Sequence, residues 1–257
     1  MNTKELDNYN LADAVRFHDQ LNPRLWDDDQ KLKPEVRSKL LAVAQDFRES
    51  LGVPELELQD ITVSGSNAAY SYTPGSDIDL HLVVKMPDDP VYQELFNAKK
   101  YQYNDQHDIR IGGADVELYV QPQDEKHISQ GIYSVLHDQW LRVPSRRRAK
   151  IDDSCVKSKA QDLEQRIKTA VDSGDEATLR SLWDKIKNMR RAGLDRHGEF
   201  GCENLVFKML RTQGWIQRLY DRLAAARDQE LSLMEKSKKK SRWNYQGWWM
   251  PGTQDQD

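Results

Sequence analysis

The sequence predicts an α+β fold, and three observations carry that expectation. The first half of the 257 residues holds short segments of alternating apolar and polar residues bounded by Gly, Pro, Ser and Asp, the pattern of strands and turns. From Asp152 onward apolar residues recur at helical spacing over long stretches. Between the two halves Pro144-Ser145-Arg146-Arg147-Arg148 reads as a boundary. The expected layout is a sheet domain over residues 1–145 that opens with helices, a helical domain over 146–235, and a basic, aromatic tail over 236–257.

Each element follows from local pattern. Leu11 to Leu21 and Pro34 to Leu51 read as helices, the second stopped by Gly52 with Pro54 beyond it. Ile61 to Val63 reads as a strand, Ser64-Gly65-Ser66 as a turn, and Pro74-Gly75-Ser76 as a break before a second strand from Asp77 to Val84. Ile109 to Val120 is expected to form a hairpin around Gly112-Gly113, and Ile132 to Val135 with Gln139 to Val143 a second one around His137-Asp138. Helices are expected over Asp152 to Val171, Asp175 to Arg190 and Glu199 to Glu235, separated by Ser173-Gly174 and by Gly193 to Gly198.

The chemistry concentrates in the second strand and the turn before it. Period-2 alternation puts Ile78, Leu80, Leu82 and Val84 on one face and Asp77, Asp79 and His81 on the other. An isolated Asp-x-Asp is ordinarily a solvated strand end, and a Gly-Ser pair is ordinarily a turn. In this order, at opposite ends of a strand-turn-strand unit, they suit metal-dependent nucleotidyl transfer. Two hard cations about 3.5–4 Å apart need carboxylate oxygens on a rigid element. A Gly-Ser turn brings backbone N–H groups and a hydroxyl up to a triphosphate. A third carboxylate is then expected on a neighbouring strand. Glu117, mid-strand between Val116 and Leu118, fits as ligand or base better than Asp115, which abuts the turn. The bland alternative is an edge strand with its polar residues outward.

Gly65-Ser66, Asp77-Ile78-Asp79-Leu80 and Val116-Glu117-Leu118 together resemble the signature of the DNA polymerase β-like nucleotidyltransferase superfamily, over roughly residues 55–122. The remainder is similar to small nucleotidyltransferases often encoded by bacteriophages, through Gly131-Ile132-Tyr133-Ser134 and Glu203-Asn204-Leu205-Val206-Phe207-Lys208. The resemblance implies a mixed β-sheet nucleotidyltransferase (palm-like) domain flanked by helices, followed by a C-terminal helical domain. It further implies that Gly65 and Ser66 hold the triphosphate, that Asp77 and Asp79 bind two Mg2+ ions, and that Glu117 completes the set. Glutamate at this third position lies within the family's range.

Charge is distributed unevenly. Residues 1–135 hold 13 Lys+Arg against 24 Asp+Glu, whereas residues 136–257 hold 25 against 18, so a net charge of −4 conceals an acidic half and a basic one. In the expected last helix Asn204, Lys208, Arg211, Trp215 and Arg218 share a stripe beside an apolar one. Lys208 and Arg211 are therefore candidates to face Gly65-Ser66 across an interdomain groove and neutralise the β- and γ-phosphates, with Arg190 and Arg191 as lesser candidates; a solvated face is the alternative. Lys236, Lys238, Lys239, Lys240 and Arg242 precede Trp243, Tyr245, Trp248 and Trp249, a combination suited to single-stranded nucleic acid or to docking on the protein itself. His81 is expected to be a hydrogen-bonded structural histidine, and His107, His127, His137 and His197 lack metal-site spacing. Cys155 and Cys202 are expected to be reduced and structural.

The expected function is a magnesium-dependent nucleotidyltransferase that moves an NMP from an NTP to a hydroxyl acceptor and releases pyrophosphate. RNA, and tRNA in particular, is the first acceptor expected. The alternatives are nucleotidylation of a small molecule or protein, synthesis of a nucleotide messenger, and, in another class, a catalytically silent nucleotide- or RNA-binding module. No apolar run of about 18 residues and no signal-like N-terminus is present, so a cytoplasmic protein without membrane contact is expected.

Overall fold

The structure, a computed structural model, describes residues 9–86, 89–125, 129–146 and 148–233. It is α+β, with a mixed six-stranded sheet and, among the described residues, six α-helices. Residues 17–146 form one compact unit; residues 148–233 together with 9–16 form the other. No helix among the described residues is long and apolar enough to cross a membrane. The aromatic tail, His127 and Arg147 lie outside the described residues.

The sheet unit starts with α1 (Pro34–Leu51), β1 (Leu58–Ser64) and β2 (Ile78–Val84). It continues with α2 (Pro90–Gln106), β3 (Arg110–Ile111), β4 (Ala114–Pro122), β5 (Ile132–Ser134) and β6 (Gln139–Arg142). The strand order is β3-β4-β2-β1-β5-β6. Only β2 and β4 pair in parallel, because the helical crossover α2 returns the chain in its original direction; the other pairs are antiparallel. Ile78, Leu80, Leu82 and Val84 are fully buried, in a core with Leu40 and Phe47 of α1 and Phe96 and Tyr103 of α2. The opposite face of β2 is thereby left to polar side chains. Both expected hairpins form, the second with Asp138 at φ 57° in its turn and accepting a hydrogen bond from the buried Tyr133 hydroxyl at 2.7 Å.

Two helical expectations in this part of the chain need correction. Residues 11–21 are not a helix: a short 3₁₀ turn at Leu11–Asp13 is followed by irregular chain. The His18 N–H bonds the Tyr70 carbonyl at 2.8 Å, and its ring stacks on Tyr72 at 3.8 Å, so this stretch satisfies its polar groups on another loop. Conversely, α2 was not anticipated. Its start is marked in sequence by Asp89-Pro90, with the Asp89 side chain accepting from the Val91 N–H at 2.9 Å and Pro at the first helical position.

The helical unit consists of α3 (Asp153–Ser173), α4 (Glu176–His197), α5 (Cys202–Thr212) and α6 (Trp215–Leu231). Asp152 and Asp175 cap α3 and α4 through the Cys155 and Thr178 N–H groups, and Gly174 ends α3 at φ 67°. The expected helix from Glu199 to Glu235 is two helices, broken where Gly214 takes φ 80°. The continuous polar stripe read across Trp215 and Arg218 therefore ends at Thr212. Gly193 does not break α4; a Cβ there would lie 2.4 Å from Cβ of Glu203, so this glycine is a notch where α4 and α5 approach. Cys155 and Cys202 are joined in a disulfide between the first turns of α3 and α5, with their Cα atoms 6.2 Å apart, which corrects the expectation of reduced thiols. A separation of 47 residues gives no local signal for that pairing; the packing of α3 on α5 creates it.

Candidate active site

Register brings the carboxylates together. Asp79 pairs with Ser64 on one side and with Glu117 on the other, so these three residues form one row across β1, β2 and β4 on the polar face. Thr62, His81 and Tyr119 form the next row. Asp77 immediately precedes β2 and is buried, as is Glu117, while Asp79 is half-buried. Asp115, the carboxylate passed over in favour of Glu117, is engaged on the hairpin by Arg110.

The turn from Gly65 to Asp77 is tied to itself. Asn67 is 1% exposed and donates to the carbonyls of Ser76 and Asp77, both at 2.9 Å, while accepting from Asn22 at 2.9 Å. Its own carbonyl accepts from the Trp26 indole at 2.8 Å. Ser66 donates to the Ser76 hydroxyl at 2.8 Å, and the Gly65 N–H donates to the Ser129 hydroxyl at 3.0 Å. The two groups expected to receive phosphate oxygens thus have internal partners in this form. Asn67 was not singled out from sequence; an Asn beside a Gly-Ser turn signals only a turn.

Burial and mutual repulsion shape the electrostatics. Burial pushes the Glu117 carboxyl well above the ordinary carboxylate range, Asp79 and Asp77 add to that rise, and the Lys100 ammonium opposes it. Lys100 is itself drawn down by burial against the pull of Glu117 and Asp79. Tyr119 hydrogen-bonds Glu117, and its hydroxyl is held well above its usual range, first by burial and then by Glu117. Oε1 of Glu117 is buried without a hydrogen-bond partner.

Lys100 is a buried cation beside this cluster that the sequence pattern did not single out. It lies on α2, is 0% exposed, and sits 4.2 Å from the centre of the Tyr119 ring. One turn on, Asn104 bridges the backbone N–H and carbonyl of Leu118, both at 3.3 Å, and so clamps α2 along β4. A signal existed: Phe96, Lys100 and Tyr103 occupy i, i+4 and i+7 of one helical face, a lysine in the middle of an apolar stripe.

The other expected residues are placed as follows. His81 is buried, contacts the Ser64 hydroxyl through Nε2 at 3.1 Å and stacks on Tyr119 at 4.8 Å. Lys208 and Arg211 are half-buried on α5 of the helical unit. In that unit Asn204 is 1% exposed, donates to the Glu199 carbonyl at 2.7 Å and accepts from Arg190, whose guanidinium lies 4.2 Å over the Phe207 ring.

Among the described residues no three His, Cys, Asp or Glu side chains already stand in a metal-holding arrangement. The donor set nevertheless fits a hard divalent cation: all three groups are carboxylates on or beside adjacent strands, Asp79 and Asp77 add to the rise in the proton affinity of Glu117, and Glu117 presents a buried oxygen without a partner. No protein-family model matches the chain, and no curated protein matches it.

Proposed function

We propose that this protein is a metal-dependent nucleotidyltransferase, which moves a nucleoside monophosphate from an NTP to a hydroxyl acceptor and releases pyrophosphate. The observation that carries this proposal is the pairing of Asp79 with Glu117 across β2 and β4, beside Asp77 and next to a glycine-containing turn. A surface pair of carboxylates would be solvated; here Glu117 is buried in a cluster of like charge. That arrangement is costly without a cation and is characteristic of sites that bind one.

Asp77, Asp79 and Glu117 would hold magnesium, whose charge would screen the triphosphate and favour loss of the acceptor hydroxyl proton. The acceptor oxygen attacks the α-phosphorus as the bond to the bridging oxygen of the β-phosphate breaks, and the electron pair leaves with pyrophosphate. The hydroxyl proton would pass to Glu117, whose Oε1 has no hydrogen-bond partner in the protein. Gly65 and Ser66 would exchange their bonds to Ser129 and Ser76 for phosphate oxygens. Asn67 keeps that turn fixed to the start of β2, so the phosphates and the carboxylates stay in register.

The test is incubation of the purified protein with magnesium, each of the four α-labelled NTPs, and separate pools of RNA, protein and small metabolites, tRNA first. Label should move to one pool with release of pyrophosphate, and Asp79→Ala should abolish the transfer. Absence of transfer to every pool, or equal transfer by Asp79→Ala, would reject the assignment.

A further inference from the structure

We propose that Lys100 is a positioning residue, a fixed internal counter-ion for the carboxylate cluster that stands in for cation charge in the metal-free site and makes firm divalent binding wait for the phosphates of the nucleotide. This rests on the nucleotidyl-transfer assignment above and deepens it.

Two buried groups of opposite charge carry the inference. Nζ of Lys100 has no hydrogen-bond partner, and neither has Oε1 of Glu117. Buried ions ordinarily come as hydrogen-bonded pairs. The ammonium instead lies over two aromatic faces, 4.2 Å from the Tyr119 ring centre and 5.0 Å from that of Tyr101. Cation–π contact holds such a charge in place while spending no carboxylate lone pair. Oε1 of Glu117 is thereby left for another ligand. Lys100 is also 0% exposed, so it is not a group that reaches out to substrate.

The position is built rather than incidental. Lys100 is flanked on its helical face by Phe96 and Tyr103, both in the core, and Asn104 fixes α2 to the backbone of Leu118, next to Glu117. The ammonium cannot swing to solvent without unpacking this face. The ammonium offsets part of the negative charge of the three carboxylates, so their pull on a divalent cation is weakened until the triphosphate adds negative charge of its own. An ammonium several ångströms from a divalent cation repels it appreciably at the effective dielectric of a protein.

The measurement is Mn2+ binding to the full-length protein, read from the loss of the free-ion paramagnetic resonance signal, with and without a non-hydrolysable NTP analogue. The unmodified protein should bind Mn2+ weakly alone and firmly with the analogue. Lys100→Met, which keeps the alkyl stem, should bind Mn2+ alone at least about tenfold more tightly, and Lys100→Arg should behave as the unmodified protein does. Unchanged or weaker binding by Lys100→Met, with firm binding by the unmodified protein in the presence of the analogue, overturns the counter-ion role and leaves the functional assignment standing. No Mn2+ binding by any form, with or without the analogue, overturns both. Should Lys100→Met fail to fold, the double variant Lys100→Met/Glu117→Gln removes both charges. It must then bind Mn2+ alone more tightly than Glu117→Gln does, and equal or weaker binding overturns the proposal.

Discussion

Gly65 and Asp79 approach so closely that a Cβ on Gly65 would lie 1.8 Å from Oδ2 of Asp79. The glycine also takes φ 74° and ψ −163°, a region open almost only to glycine. Gly65→Ala is therefore expected to lower stability by roughly 1–3 kcal/mol from backbone strain, and to abolish transfer by displacing the Asp79 carboxylate. Denaturant unfolding and the transfer assay measure the two effects separately. A variant with unchanged stability and activity would show that neither the backbone conformation nor the close approach matters.

Glu117 and Asp115 are distinguished by their surroundings. Asp115 is neutralised by Arg110 at the hairpin, whereas Glu117 is 5% exposed in the carboxylate row. Glu117→Gln should slow transfer by about 100-fold or more, and Asp115→Asn should change it little. Steady-state rates at saturating magnesium check both; the reverse order would put the third carboxylate at Asp115.

Glu125 gives a pH signature of its own. Its Oε2 is buried without a partner, and burial raises its carboxyl to about 7. The folded state therefore holds this proton more tightly than the unfolded chain, so stability from this group is present at low pH and is lost as pH rises toward 7. Glu125→Gln should melt at the same temperature as the unmodified protein near pH 4 and above it at pH 8. A melting difference independent of pH would contradict this assignment.

The disulfide makes a prediction for the helical unit. Cys155→Ser, or reduction with a thiol, should lower the stability of this unit by about 2–4 kcal/mol, because the closed loop spans 47 residues. Peptide mapping without reductant should recover Cys155 and Cys202 in one linked pair. Two free thiols in protein purified under oxidising conditions would contradict the pairing.

The carboxylate row was legible because strand alternation is strict. Once Ile78, Leu80 and Leu82 are core, Asp77 and Asp79 must face the other way, and Glu117 follows from its own alternation. Pairing of Asp79 opposite Glu117 was less accessible, since a parallel register depends on the crossover helix α2, which the reading omitted. Lys100 went unseen for the same reason. Periodicity over residues 199–235 runs smoothly through Gly214, and only the positive φ of that residue reveals the break. The cysteine pairing depends on how α3 packs on α5, a tertiary fact without local sequence expression.

The most direct test of the central claim is a crystal structure of the full-length protein with Mn2+ and a non-hydrolysable NTP analogue, with the metal located by anomalous scattering. The account predicts a peak within about 2.0–2.3 Å of carboxylate oxygens from Asp79 and Glu117, with Asp77 alongside and phosphates at Gly65-Ser66. A nucleotide bound elsewhere, or a cation that ignores both Asp79 and Glu117, would contradict it.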